Sequence, residues 1–273
     1  MVRAILPLAL LLAGCSAPAR QHGGGGIVST NPCADAILIE LVPPSRIAAI
    51  SHYSQDPGAT SIPLDIASRF ATTSGTAEEV IALEPDLVVT SSFTPASTRN
   101  AYARAGLKTL LLDSPVTIEA SKAQVMQVAA AVGAEARGRA LNALIDRAVS
   151  AATPSVREGG NPSALLFIAG NLVNGSGTLL DELLTRAGFR DAATDYGLAF
   201  TGTLPIETIA AHPPRVILTP GPSRTASLRA RVLARTGANT VEAAFPRNLV
   251  NCGGPTIIPA ITRLAAVRRQ LGT

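Results

Sequence analysis

Glu79–Val89 reads EVIALEPDLVV, and 128 residues further on Glu207–Ile217 reads ETIAAHPPRVI. Superposed, the two segments pair Glu79 with Glu207, Ile81 with Ile209, Ala82 with Ala210, Pro85 with Pro213 and Val88 with Val216, five identities in eleven positions. Each predicts a short helix halted at proline, whose ring and missing N–H end the helical ladder, followed at once by an apolar run suited to a strand. The same helix, stop and strand twice in one chain points to an internal repeat. A weaker echo sets Ile37–Leu41 against Leu179–Leu183, with Glu40 over Glu182.

Between the copies lies Ala134–Ala152, AEARGRALNALIDRAVSAA. Leu141, Leu144, Ile145, Ala148 and Ala152 fall on one helical stripe, and Arg137, Arg139, Asn142, Asp146, Arg147 and Ser150 take the other faces. At about 1.5 Å per residue this amphipathic helix spans about 28 Å, enough to run from one small domain to another. We therefore expect a spine between two similar lobes. A continuous helix resists hinge bending, so the lobes are expected to move little. Gly138 is its expected weak point, since glycine costs about 1 kcal/mol relative to alanine inside a helix.

Outward from these segments, strands are expected at 27–29, 46–51, 86–90 and 109–112, and again at 164–168, 215–219 and 248–251. Helices are expected at 34–41, 77–83, 97–105, 121–132, 178–187, 205–211, 227–236 and 256–271, with a loop at 169–177. Strand alternating with helix predicts an α/β protein with mainly parallel sheets: two Rossmann-like lobes joined by a single long helix. The expected boundaries are an N-terminal lobe at 27–120, a helical connection at 121–157 with its backbone helix at 134–152, and a C-terminal lobe at 158–273.

The first residues are read as a targeting segment. Arg3 precedes the apolar run Ala4–Leu12, and Leu12-Ala13-Gly14-Cys15 supplies small residues ahead of a cysteine. Residues 1–14 are thus expected to be a lipoprotein signal peptide and Cys15 the lipidated residue, with 15–26, which holds Pro18, polar residues and four Gly, as a flexible tether. That run is too short to span a bilayer, which takes about 20 residues. The net charge of +4 comes from scattered Arg with no basic run, so no nucleic-acid partner is expected.

The order of these features resembles the periplasmic substrate-binding proteins of ABC importers, in the class for cobalamin and ferric siderophores. The resemblance is carried by Ile27-Val28-Ser29 with Asn31-Pro32, by EEVIALEPDLVV, by GSGTLLDELLTRAGF from Gly175 and by PIETIAAHPPRVIL from Pro205. It covers Gly26 to Arg269. It implies a monomeric periplasmic protein held at the membrane by its lipid, capturing an iron chelate or corrinoid between its lobes, with haem as an alternative ligand. It also implies delivery to a permease dimer with its ATPase subunits, and it aligns Glu79 and Glu207 with the carboxylates that meet permease arginines. Paired carboxylates on two similar lobes suit the paired cations of a symmetric partner.

Ligand residues are expected where the carboxyl ends of the strands face each other across the lobes. The first lobe offers Asn31, Cys33, His52, Tyr53, Gln55 and Ser91 to Phe93, including Ser92. The second offers Asn171, Tyr196, Phe200, Arg224, Asn251 and Cys252. His52, Tyr53 and Tyr196 stand out because exposed aromatics can stack on a large planar ligand. The chain has no Trp, so few rings are available. Of three histidines His22 lies in the tether and His212 outside the expected cleft, so neither a bare-metal site nor a resident cofactor is expected. Cys33 and Cys252 are each expected at the cleft, one per lobe. Unpaired packing cysteines are the expectation, ahead of a disulfide or a soft-metal grip. The rival class is a tethered periplasmic hydrolase. Gly170–Thr178 imitates a phosphate loop but puts Ser176 where its lysine belongs, and no G-x-S-x-G elbow occurs, so no catalytic residues are assigned.

Overall fold

The computed structural model describes residues 25–154 and 160–271; Cys15, the signal segment and most of the tether lie outside them. The first lobe runs β1 (Ile27–Ser29), α1 (Pro32–Leu41), β2 (Ile47–Ser51), α2 (Leu64–Ala67), β3 (Thr72–Thr73), α3 (Ala77–Ala82), β4 (Leu87–Ser91), α4 (Ala96–Arg104) and β5 (Thr109–Leu112). Its sheet has the order β3-β2-β1-β4-β5, with every pairing parallel. Helices α5 (Ile118–Val132) and α6 (Glu135–Ala152) follow. The second lobe runs β6 (Ser163–Ala169), β7 (Leu172–Asn174), α7 (Leu179–Arg186), β8 (Arg190–Asp191), β9 (Thr201–Thr203), α8 (Ile206–Ala211), β10 (Val216–Thr219), α9 (Arg224–Ala234), β11 (Val241–Ala244) and α10 (Ile257–Gln270). Its sheet is ordered β11-β10-β6-β7-β9, with β8 also on β6.

The repeated segments are α3–β4 and α8–β10, and each repeat strand pairs in parallel with the first strand of its lobe. Val88 lies opposite Val28, and Val216 opposite Ala164. Both strands are buried along both faces, which is why they read as unbroken apolar runs. Helix starts follow from short polar caps: Asn31 accepts from the N–H of Cys33, Thr76 from Glu79, Thr117 from Ala120, Thr178 from Asp181 and Ser223 from Ala226.

Two expectations in the second lobe fail. Within 169–177 lies β7, which turns back antiparallel on β6 and pairs with β9. Its three residues are too few to register as periodic. The strand expected at 248–251 is instead a 3-10 turn, Arg247–Leu249, which buries Leu249, and the last strand is β11. An edge strand with one neighbour needs no continuous apolar run, so VEAA carried no strand signal.

Helix α6 packs against α5 on one side and α10 on the other. It buries Gly138, Leu141, Ile145 and Ala152, whereas Leu144, expected on the same stripe, is 46% exposed at its edge. One hydrophobic core runs through both lobes, from Leu38 and Leu41 of α1, through Val125 and Val128 of α5 and Ile145 of α6, to Leu184 of α7 and Leu264 of α10. The lobes are therefore joined by shared packing as well as by the helix. Polar contacts add to the joint: Asn142 donates to the carbonyl of Lys122 at 3.0 Å, Lys122 Nζ pairs with Asp146 at 2.6 Å, and Glu182 of α7 accepts from the N–H of Ile118 at 2.7 Å.

Candidate functional site

The carboxyl ends of β1, β4 and β5 open onto a cavity of about 760 Å³, and the second lobe closes its far side. From the first lobe come Thr30 to Cys33, Tyr53, Ser74, Gly75, Ser91, Phe93 to Pro95 and Leu112 to Val116; from the second come Asn174, Thr178 to Leu180, Thr201 and Val250 to Gly253. Side-chain hydrogen bonds pin these loops: the hydroxyl of Thr30 donates to Thr90 at 3.0 Å, and the Thr90 and Thr94 hydroxyls are hydrogen-bonded at 2.7 Å. Tyr53 is 50% exposed and Phe93 81% exposed, two rings presented by one lobe. Among the described lining residues there is one carboxylate, Asp113, and no Lys, Arg or His.

Cys33 and Cys252 both line this cavity and are disulfide-bonded, with their Cα atoms 5.2 Å apart. This corrects the expectation of unpaired cysteines. Cys33 is the second residue of α1 and Cys252 follows the 3-10 turn Arg247–Leu249, and the fold brings them within bonding reach although 219 residues separate them. The bond is part of a strap. Asn251 Nδ2 donates to the carbonyl of Ala59 at 3.0 Å, and the N–H of Gly254 donates to Ser121 Oγ at 2.6 Å. Gly254 sits at φ +58°, and a Cβ there would stand 2.9 Å from Ile37. The segment from Asn251 to Gly254 thus runs across the joint at backbone distance.

Of the residues nominated from sequence, Asn31, Cys33, Tyr53, Ser91, Phe93, Asn251 and Cys252 line this one cavity. The others are held elsewhere. His52 packs against Tyr53, its ring tilted by 36° with centroids 4.0 Å apart, and turns Nδ1 to the carbonyl of Thr73 at 3.2 Å. Gln55 donates to the carbonyls of Ala67 and Phe70, both at 3.0 Å, closing its own loop. Ser92 offers its carbonyl to Arg99 at 3.3 Å. Tyr196 donates its hydroxyl to the carbonyl of His212 at 2.6 Å. Phe200, 65% exposed at φ +57°, stands next to the lining residue Thr201. Asn171 and Arg224 meet at a different, smaller cavity in the second lobe.

Sequence reasoning missed Ser74, Gly75, Asp113 to Val116, Asn174 and Thr178. The signal for the last two was present: Gly175 to Gly177 ahead of an N-capping Thr178 marks a loop entering a helix, and Thr178 Oγ1 donates to Asn174 Oδ1 at 3.0 Å. Ser74 and Gly75 are fixed by a network that only the fold assembles. Glu79 Oε2 accepts from Thr73 Oγ1 at 2.9 Å, from the N–H of Ser74 at 2.7 Å and from Ser74 Oγ at 2.7 Å, while Tyr102, its ring buried, donates to the carbonyl of Gly75 at 2.8 Å. These bonds, the Ser74 hydroxyl's first, hold the exposed Glu79 carboxyl below its usual range. Glu207, on the matching helix, is in the exposed first turn and has no hydrogen bond or ion pair among the described residues.

Beneath the cleft, Asp35 of α1 is fully buried. Its Oδ2 accepts from the N–H of Ser51 at 2.9 Å and from Ser54 Oγ at 2.6 Å, tying α1 to the loop that carries Tyr53. Burial pushes this carboxyl up to about 7, against the opposing pull of hydrogen bonds from Ser29, Ser54 and Ser51.

The family described as periplasmic binding protein matches residues 27–254. The fold is similar to that of a periplasmic heme-binding protein from Roseiflexus sp. RS-1 in apo form, at a TM-score of 0.73 and 23% identity over 92% of this chain and 100% of that one. It is similar to the periplasmic heme-binding protein of Vibrio cholerae at 0.73 and 17% identity over 90% and 99%, and to one from Pseudomonas aeruginosa at 0.69 and 21% over 89% and 91%. Among curated proteins none matches.

Proposed function

The chain belongs to the periplasmic binding protein family, and from that premise we propose that it is the substrate-binding component of an ABC importer whose ligand is haem. The observation that carries the ligand is the pair of exposed rings, Tyr53 and Phe93, on one wall of a cavity of about 760 Å³ between the lobes. A ring of that kind stacks on a macrocycle, and a tyrosine oxygen is a recognised axial ligand of haem iron. Tyr53 is the phenol among the described lining residues, and the His52 ring packs against it, tilted by 36° with centroids 4.0 Å apart. Similar folds are those of proteins named for heme binding, which agrees with this reading.

One observation favours a second reading, a neutral corrinoid or ferric chelate. The lining has Asp113 and no cation, so haem must keep its propionates at the mouth of the cleft, in water, rather than paired within it. The two readings separate in one experiment. Titration with haemin is expected to give a shifted Soret band, lost in Tyr53→Ala and retained in Asp113→Asn. Saturable binding of cobalamin or a ferric hydroxamate, with no Soret change on haemin, would overturn the haem assignment.

Delivery to the permease is assigned to the α3 and α8 helix starts, with Glu79 and Glu207 as the docking carboxylates. Cys15 carries the lipid that holds the chain at the membrane, and the protein works as a monomer. With a single core through both lobes, ligand entry takes only small rearrangement.

A further inference from the structure

We propose that the second lobe holds a binding site, separate from the cleft, for a small aliphatic monocarboxylate. Its cavity, about 250 Å³, lies between α8, α9 and the β6–β7 turn. The volume is a third of the cleft's, so a macrocycle is excluded and a short chain fits.

The chemistry is set by Arg229. Its side chain is only 4% exposed, yet its guanidinium has no hydrogen bond among the described residues, and Nε is buried with no acceptor. What it has is the face of Phe167, 3.8 Å from the ring centroid, and the carboxylate of Glu242, 3.8 Å from one terminal nitrogen and lying outside the cavity lining. Phe167 offers only its ring, and Glu242 is beyond hydrogen-bond reach. A buried guanidinium is normally matched by planar acceptors, because unmade hydrogen bonds of a charged group are expensive. A second cation, Arg224, lines the same cavity in the first turn of α9, next to Thr225. With two arginines facing the space and no carboxylate among its lining residues, the site is built for an anion. Leu204, Ile206, Ile209 and the half-exposed Leu228 make the remaining wall, which an inorganic anion would leave wet and unused. A carboxylate on a short hydrocarbon chain satisfies both halves: a head for the arginine donors and methylenes for the leucines and isoleucines.

The test uses the whole protein and a matched series of probes: octanoate, octanol, octylamine and inorganic phosphate, read by thermal shift and calorimetry. Octanoate is expected to bind with one site and to raise the melting temperature; octanol, octylamine and phosphate are expected to do neither at the same concentration. Arg224→Gln, at a helix start, should weaken octanoate at least about tenfold, the order expected for one lost charge-assisted contact, and leave the cleft ligand's affinity unchanged. Arg229→Gln should do the same; if it fails to fold, Arg224→Gln decides alone. No octanoate binding, equal binding of octanol, or octanoate binding undiminished in Arg224→Gln would each overturn the proposal.

Discussion

The carboxylate of Glu79 holds Ser74 by both its N–H and its hydroxyl, at 2.7 Å each, and Ser74 lines the cleft. The repeat partner Glu207 makes no such bond among the described residues, so two positions that look equivalent in sequence differ in structure. A permease arginine competing for Glu79 would also loosen the loop of Ser74 and Gly75, whereas at Glu207 it would meet a carboxylate engaged in water alone. Charge reversal separates the two. Glu207→Arg is expected to abolish transport with ligand affinity unchanged. Glu79→Arg is expected to abolish transport and also to weaken ligand about fivefold, through loss of the acceptor that orders the loop. Uptake assays in cells paired with equilibrium titration of the purified variants check this. Equal ligand affinity in both would show that Glu79 does not order the cleft.

The Cys33–Cys252 bond closes a loop of 219 residues and ties the lobes at the cleft itself. In an exported protein such a bond persists. Cross-linking of this kind is worth about 2–5 kcal/mol, chiefly through the unfolded chain. Cys33→Ser with Cys252→Ser should lower the unfolding free energy extrapolated from urea titration by that amount, with a correspondingly lower midpoint, and the variant should be insensitive to reductant. The unmodified protein should show no reactive thiol from these two residues until reduced. A reductant-independent midpoint in the parent protein would contradict the pairing.

Asp35 makes stability depend on pH in an unusual direction. Its folded carboxyl titrates at about 7 against an ordinary value of 3.8, so between those values the folded state binds a proton that the unfolded state has lost. The stabilisation is complete below pH about 4 and is lost as the pH rises through about 7, up to about 4 kcal/mol in all. Asp35→Asn keeps an acceptor for Ser51 and Ser54 without the charge. The difference in unfolding free energy between parent and variant should therefore change sharply from pH 4 to pH 7 and level off above. Asp191, raised to about 6 by burial, adds a slope of the same sign that the variant retains. A parent-minus-variant difference that is flat across this window would show that Asp35 stays charged.

The lobes, their order and most helices were legible because they rest on local rules: an apolar run, a capping hydroxyl and a proline stop each act over a few residues. Asn31, Tyr53 and Phe93 were found because they follow strands. What could not be read depends on chain reversals and partners remote in sequence. The antiparallel turn from β6 to β7 carries Asn171 away from the cleft to Arg224, and the edge strand β11 replaces the one expected at 248–251. Ser74 enters the site because Glu79, five residues on, folds back to hold it, and the disulfide needed the strap from Asn251 to Gly254 to reach α1. The repeat places Glu79 and Glu207 at matching helix starts, but the bonds they make differ, because the partners Thr73 and Ser74 lie outside the matched segment.

Gly138 shows the same limit inside the helix that joins the lobes. By propensity it is a weak point, and Ala there should stabilise α6 by about 1 kcal/mol. The structure reverses the sign. A Cβ at this position would stand 2.6 Å from Ala129 Cβ and 3.1 Å from Met126 Sδ, both on α5. The methionine can yield, since its side chain is unbranched and flexible, but the alanine methyl is fixed to its backbone. Relief requires α5 and α6 to separate, and with them the packing of Val125, Val128 and Ile145 in the shared core. Overpacking of this kind costs about 1–3 kcal/mol, which at a fixed contact of 2.6 Å outweighs the propensity gain. Gly138→Ala is therefore expected to lower stability, by up to about 2 kcal/mol, in urea unfolding. Ala129→Gly removes the opposing methyl, so in its background the same Gly138→Ala change should become neutral or stabilising. A double-mutant cycle without that reversal would mean that the helices do not cross at this glycine.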